Sequence, residues 1–135
     1  MKFVVIFIIV QCLLIQYATA EFSAQKYKEM HDTCVNQSGC PEDIIENARN
    51  GDFNPDQRFK AFLKCCFEQE DGLDANGNIL VDKVLESFHD DLVAKYEKPM
   101  RECNDIVSHA GDTLDYIYNY CYCAYEKTKE HFDIP

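Results

Sequence analysis

The segment Arg58-Phe-Lys-Ala-Phe-Leu-Lys-Cys-Cys-Phe67 constrains the fold of this chain more than any other stretch. Four of its apolar residues, spaced i, i+3, i+4 and i+7, share one face of an α-helix: Phe59, Phe62, Leu63 and Cys66. Cys65 lies beside that face, so a disulfide from it would attach a second segment to the same helix. We therefore expect one helix to carry both the centre of the core and a cross-link.

The first twenty residues have the pattern of a secretory signal peptide. Lys2 precedes an almost wholly apolar run from Phe3 to Ile15, and Ala18-Thr-Ala20 places small residues before Glu21. The apolar run is shorter than the roughly 20 residues that span a membrane. We expect residues 1–20 to be removed and residues 21–135 to be secreted as one domain without stable membrane insertion.

Seven cysteines remain once the signal segment has been removed: Cys34, Cys40, Cys65, Cys66, Cys103, Cys121 and Cys123. In an oxidising compartment these are disulfide candidates, and an odd number leaves at least one unpaired or bridging two chains. Loss of Lys2 moves the formal net charge from −11 to −12. Such an acidic surface repels phosphate backbones and anionic lipids. We therefore expect no nucleic-acid partner and a monomer or weak dimer.

Helical periodicity and chain-breaking residues predict a single all-α domain of about six short helices. The expected helices run over 22–36, from Pro41 to about residue 49, from Pro55 to about 71, over the stripe 81–92, over 98–109, and from Asp112 to about 131. Asn76-Gly77 predicts a turn between the third and fourth helices. In the last helix, tyrosines at every second position favour a strand locally, but the chain offers no partner strand, and a lone strand is unstable.

Several short segments carry a resemblance to a known family. They are Cys34 with Gly39 and Glu42-Asp43, then Asn50-Gly-Asp-Phe53, Lys60-Ala-Phe-Leu-Lys-Cys65, Asp74-Ala-Asn-Gly-Asn-Ile79, Cys103 and Cys121. Together they resemble insect odorant-binding proteins of the pheromone and general odorant-binding family, over the whole mature chain. The resemblance implies a compact helical domain around an apolar pocket, stapled by the disulfides Cys34–Cys65 and Cys103–Cys121.

Two cysteines of that family are absent here. The second falls on Ala61, and the fifth, counted back from Cys121 by the family's eight-residue gap, falls on Asp112. The pattern therefore resembles the minus-C subclass. Three further cysteines have no place in the family scheme: Cys40, Cys66 and Cys123. A buried free thiol at Cys66, a third bridge among these three cysteines, and a one-residue shift of the first bridge all remain open.

By resemblance, the chain is expected to be a secreted, non-enzymatic carrier of small hydrophobic molecules such as odorants, without a cofactor and with a chemosensory receptor as a possible second partner. Five of the helices, the second excepted, would line its pocket, and the short tail Phe132-Asp-Ile-Pro135 would cover the mouth. From helical facing we expect these ligand-binding residues: Tyr27, Met30, Phe59, Phe62, Leu63, Val84, Phe88, Met100, Val107, Leu114, Ile117, Tyr118 and Tyr122.

Other chemistry is less well supported by the sequence. The cysteines and histidines lack the spacing of a zinc site, and a calcium loop centred on Gly77 would need oxygen ligands at Gly72 and Lys83. Cys65-Cys66 is reminiscent of secreted phospholipase A2, but Gln69 stands where the catalytic histidine would be. The alternatives are therefore a non-olfactory carrier of the same fold in a secretion, venom or seminal fluid, and a secreted lipolytic enzyme.

Overall fold

The computed structural model describes residues 1–18 and 24–135, so the predicted cleavage position after residue 20 lies outside the described residues. The helices are α1 (Lys2–Ser38), α2 (Glu42–Arg49), α3 (Gln57–Gln69), α4 (Val81–Glu86), α5 (Asp90–Ile106) and α6 (Thr113–Thr128). Among the described residues, β-pairing is limited to one isolated bridge between Leu73 and Ile79, across the predicted turn. The prediction of an all-α domain of about six helices is confirmed.

The first helix is longer than predicted, because α1 begins at Lys2 and not at Phe22. Its apolar side chains between residues 3 and 15 are exposed, and Phe3 retains 87% of its accessible surface. These side chains therefore add nothing to the core, which begins on α1 at Met30 and Cys34. No helix within the described ranges is both long enough and apolar enough to cross a membrane.

The third helix forms the centre of the core, as the sequence predicts. Phe59 and Phe62 are fully buried, Leu63 is almost so, and α3 packs against both α1 and α6. Asp56 caps the helix by accepting a hydrogen bond from the Arg58 N–H at 2.8 Å. The bridge Cys34–Cys65 joins α1 to α3, with 5.5 Å between the two Cα atoms. The first predicted disulfide is thus confirmed, without a shift of register.

The second predicted disulfide is wrong, because Cys103 pairs with Cys123 and not with Cys121. Residues two apart on a helix point about 200° away from each other, so only one of the two cysteines of α6 can face α5. Cys121 faces the core instead and is a free thiol, 4% exposed. Cys123 thus takes the place of the family's sixth cysteine. Counted back from Cys123 by the eight-residue gap, the absent fifth cysteine corresponds to Leu114 and no longer to Asp112.

The remaining unpaired thiols are Cys12, Cys40 and Cys66, within the part of the chain that the structure describes. Cys12 is exposed in the N-terminal part of α1, whereas Cys40 and Cys66 are buried. Of the alternatives that the sequence left open, the structure has the buried free thiol at Cys66, and no third bridge forms among the surplus cysteines of the described chain.

The boundaries between α4 and α5 differ from those predicted. The single helix predicted over residues 81–92 is interrupted after Glu86. The N–H groups of Ser87 and Phe88 donate to the carbonyls of Val84 and Leu85, three residues back, and the backbone of His89 is extended. The next helix then starts at Asp90, well before the predicted Lys98, and continues through Pro99. This early start places Tyr96 on a helix that faces the core, where it is 4% exposed.

The last helix begins beside Asp112, where the sequence predicts its start. The Asp112 carboxylate accepts hydrogen bonds from the N–H groups of Leu114 and Asp115, at 2.8 and 3.2 Å. The helix ends at Thr128, because Lys129 adopts a left-handed conformation with φ 49°. Tyr116 and Tyr120 are buried four residues apart, so the tyrosine-rich stretch follows helical and not strand periodicity.

Candidate ligand-binding cavity

A narrow apolar cavity of about 70 Å³ lies between α1, α3, α4, α5, α6 and the C-terminal tail. Six of the thirteen sequence-predicted residues form part of its wall: Tyr27, Met30, Leu63, Val84, Phe88 and Met100. Met30, Leu63, Val84 and Met100 are also buried in the core. The structure thus brings together predicted residues from α1, α3, α4 and α5, while their contact with a ligand stays a prediction.

The other seven predicted residues lie away from this wall. Phe59, Phe62 and Ile117 are fully buried in the core, whereas Val107 and Leu114 are half-buried at the end of α5 and the start of α6. Tyr118 and Tyr122 pack against Phe53 in the segment before α3, with ring centroids 6.1 and 5.5 Å away. The Tyr118 hydroxyl also donates to the Phe53 carbonyl at 3.1 Å. These two phenols therefore face a separate aromatic cluster.

The structure adds wall residues outside the predicted ligand-binding set: Cys66, Phe67, Glu70, Tyr96, Tyr120, Cys121 and Ala124. The tail residues Phe132, Asp133, Ile134 and Pro135, which the sequence predicts only as a cover of the mouth, also line the wall. Tyr120 and Ala124 are one helical turn apart on the buried face of α6, which a strictly helical reading of that segment would have found. Tyr96 was missed because α5 was expected to begin after it.

The tail closes one side of the cavity and is held mainly by polar contacts. The Phe132 N–H donates to the Arg49 carbonyl at 2.8 Å. Lys95 Nζ lies 2.7 Å from Asp133 Oδ2, and the Tyr96 hydroxyl donates to the same oxygen at 2.8 Å. One aromatic ring, Phe132, is buried at 6% exposure. The tail therefore occupies the place where the helices leave the cavity open.

The phenols and thiols of the wall are uncharged near neutral pH. Burial raises the pKa of Tyr27 to about 12 and that of Cys121 to about 12, and it raises the pKa of Cys66 well above its ordinary value. Burial likewise raises the pKa of Tyr120, whose hydroxyl donates to the Met100 carbonyl at 2.6 Å. These groups give the cavity an apolar surface with a few neutral hydrogen-bonding atoms.

The wall carries acids but no base among the residues described. Glu70 and Asp133 line it, while neither Lys, Arg nor His is a member of the described wall. Nor does any cluster of three or more His, Cys, Asp or Glu side chains with the arrangement of a metal site occur in the described parts of the chain.

This helical domain with its apolar cavity belongs to the PBP/GOBP family, whose sequence model matches residues 16–127. The family predicted from the sequence is therefore confirmed, whereas membership of the minus-C subclass stays a prediction. General odorant-binding protein 57c of Drosophila melanogaster is 24% identical over 119 residues, which cover 87% of this chain and 70% of that protein.

Solved structures with the same fold come from three insects. Apis mellifera odorant binding protein 5 superposes with a TM-score of 0.75 at 20% identity, over 86% of this chain and 97% of the other. Odorant Binding Protein 4 of Chrysopa pallens superposes with a TM-score of 0.72 at 20% identity, over 85% of this chain and 97% of the other. Odorant Binding Protein 7 of Anopheles gambiae, which has four disulfide bridges and was solved with an azo compound, gives 0.66 at 25%, over 81% and 87%.

Proposed function

We propose that this protein is a secreted carrier that binds small hydrophobic molecules, such as odorants or pheromones, in the cavity and transports them through extracellular fluid. The observation that carries the proposal is the apolar cavity lined by five helices and the C-terminal tail. Membership of the PBP/GOBP family supports it, as does the azo compound bound to the related Anopheles protein. A chemosensory receptor is the partner to which such a carrier would deliver its ligand.

Secretion follows in this proposal from residues 1–20, which act as a signal peptide and leave the mature domain 21–135. The exposed apolar side chains of residues 3–15 support it, because they contribute nothing to the core. A mature chain without them carries a formal net charge of −12, because Lys2 is lost from a chain of net charge −11, and this suits a dissolved carrier.

The cavity must enlarge before a ligand can enter. Pockets for small molecules measure roughly 300–1,000 Å³, several times the present volume of about 70 Å³. The tail is the wall that can yield with least loss of packing, since it is held by hydrogen bonds, one ion pair, the buried ring of Phe132 and the partly buried side chain of Ile134. We infer that a ligand takes part of the space now filled by the tail.

Binding without catalysis is the chemistry that this wall supports. Its acids, Glu70 and Asp133, lie in an apolar surface without a histidine among the described lining residues, and the Ser87 hydroxyl that hydrogen-bonds to Glu70 is not part of that lining. A hydrolase would need a nucleophile or an activated water next to a general base. Assays of the purified protein for esterase and phospholipase activity are expected to give no turnover above background.

A cavity-filling substitution tests the proposed function directly. Ala124 lies on the cavity wall at 4% exposure, so Ala124→Leu would place a larger side chain in the cavity. We expect the secreted protein to bind N-phenyl-1-naphthylamine at micromolar concentration, with 1-decanol displacing the dye, and Ala124→Leu to weaken binding about tenfold. The matched control is Ala94→Leu on the exposed side of α5. Absence of dye binding to the wild type, or equal binding to all three proteins, would refute the proposal.

A further inference from the structure

Glu70 occupies a distinctive position on the cavity wall. It is the residue that ends α3, and its side chain lines the cavity beside Cys66 and Phe67 of the last turn of that helix. The C-terminal end of a helix carries a partial negative charge from its unpaired carbonyl groups. The carboxylate and the helix end therefore place negative potential at the same side of an otherwise apolar space.

The Glu70 carboxylate is poorly compensated. Burial raises its pKa, while the Ser87 hydroxyl and the more distant Lys26 have the opposite effect. Within the described chain no lysine, arginine or histidine forms an ion pair with it, whereas Asp133 is paired with Lys95 at 2.7 Å. Of the two lining side-chain carboxylates, Glu70 is thus the one that gains from a new positive or hydrogen-bond-donating partner.

Besides the Ser87 hydroxyl, a second neutral polar group near Glu70 belongs to Tyr27 on α1. Its hydroxyl lies close enough to Glu70 for the carboxylate charge to contribute, after burial, to the raised pKa of the phenol. A donor head placed at Glu70 would therefore also lie near a phenolic oxygen that can accept or donate a hydrogen bond. Both groups stand on helices, which are fixed to each other by the bridge Cys34–Cys65.

We propose that Glu70 forms the head-group site of the cavity, which selects apolar molecules carrying a primary amine most strongly, a hydroxyl less strongly, and disfavours carboxylic acids. This inference rests on the proposed carrier function and names the ligand class within it. An ammonium group gains a charge-assisted hydrogen bond, which is roughly twice as strong as a neutral one. A ligand carboxylate meets like charge without a basic residue on the described wall to offset it.

Three ligands with the same ten-carbon chain separate the head group from the apolar part. Protein is recovered from the medium of insect cells that express the full chain, and decylamine, 1-decanol and decanoate are titrated by calorimetry. At pH 8 a primary amine is protonated, since its pKa is near that of lysine, about 10.4, and the acid is ionised. Salt at 0.15 M limits the range of attraction between exposed charges to about 8 Å, so the net negative charge of the protein contributes little to the affinity for decylamine.

We expect decylamine to bind about tenfold more tightly than 1-decanol, and decanoate about tenfold more weakly. Glu70→Gln should remove most of the advantage of the amine while leaving 1-decanol within about twofold. The matched control is Glu68→Gln, which removes the same charge from the same helix. Glu68 is exposed and pairs with Lys64 at 2.6 Å, outside the cavity wall.

The outcomes distinguish the two proposals. If 1-decanol binds but decanoate binds as tightly as decylamine, the head-group site is refuted and the carrier function stands. The head-group site is refuted in the same way if Glu70→Gln keeps the amine preference, or if Glu68→Gln loses as much of it as Glu70→Gln does. If none of the three ligands binds, the carrier function fails and the head-group inference fails with it.

Discussion

The two sides of the cavity are built in different ways. The side formed by α1 and α3 is held together behind the cavity wall by the bridge Cys34–Cys65 and by the fully buried rings of Phe59 and Phe62. The side formed by the tail has one buried ring, Phe132, and otherwise depends on contacts with Arg49, Lys95 and Tyr96. The difference supports the proposal that the helical side supplies stability while the tail supplies access.

The largest expected effect comes from removing the covalent link of the helical side. The double substitution Cys34→Ser with Cys65→Ser opens a loop between residues 31 apart in sequence, and in the chain-entropy model this lowers the free energy of unfolding by about 3–4 kcal/mol. Urea denaturation followed by circular dichroism measures the loss. A loss smaller than that caused by truncating Phe132 would reverse the comparison of the two sides.

The second effect concerns the bridge between α5 and α6. Cys123→Ser should lower the free energy of unfolding by about 3 kcal/mol, because it opens the link to Cys103 across 20 residues. Cys121→Ser provides the matched control two residues away, since it leaves both bridges intact and replaces one buried free thiol. We expect the control to lose about half as much, and disulfide mapping by mass spectrometry to recover Cys103–Cys123 from it. Recovery of Cys103–Cys121 from the wild type would contradict this assignment.

Truncating the buried ring of the tail should cost less stability than removing either bridge, and it should change ligand binding more. Phe132→Ala removes the one buried ring of that side, so we expect the free energy of unfolding to fall by about 2 kcal/mol. Because the ring also lines the cavity, its loss should enlarge the cavity and speed the association of N-phenyl-1-naphthylamine. Stopped-flow fluorescence measures the association rate. An unchanged rate would show that the ligand enters by another route.

The same contrast explains how much the sequence could predict. The stripe of Phe59, Phe62 and Leu63 is local, so periodicity was sufficient to place α3 at the centre of the core. The contacts of the tail join Lys95 to Asp133, 38 residues apart, and no local pattern indicates such a pairing. The helices, which are formed from neighbouring residues, were therefore predicted well. The C-terminal tail, whose partners are distant in sequence, was predicted only as a cover of the pocket, without its contacts.

The second disulfide and the cavity wall show where a resemblance is insufficient. Cys121 and Cys123 are two positions apart, so either can be aligned with the family's sixth cysteine. They lie on nearly opposite faces of α6, and the packing of α6 against α5 decides which one reaches Cys103. Glu70 shows the converse problem. A charged residue at a helix end is ordinarily exposed to solvent, so its inward position follows from the neighbours of α3 and not from its own sequence.

The smallest effect lies at Glu70 and depends on pH. Burial raises the pKa of this carboxyl above the ordinary value of 4.5, against the Ser87 hydroxyl and the charge of Lys26, while Tyr27 and Cys66 face it as neutral groups. The folded protein then holds a proton that the unfolded chain has released, so stability falls as the pH rises from 4.5 through the raised value.

Glu70→Gln removes this dependence, because an amide does not titrate. We therefore expect the variant to melt at the same temperature as the wild type near pH 4 and at a slightly higher temperature at pH 7, by differential scanning calorimetry. Glu68→Gln, which alters an exposed carboxylate, should show no such gain. A lower melting temperature for Glu70→Gln at pH 7 would mean that the carboxylate is stabilised in the folded cavity, and the poorly compensated charge inferred for the helical side would be wrong.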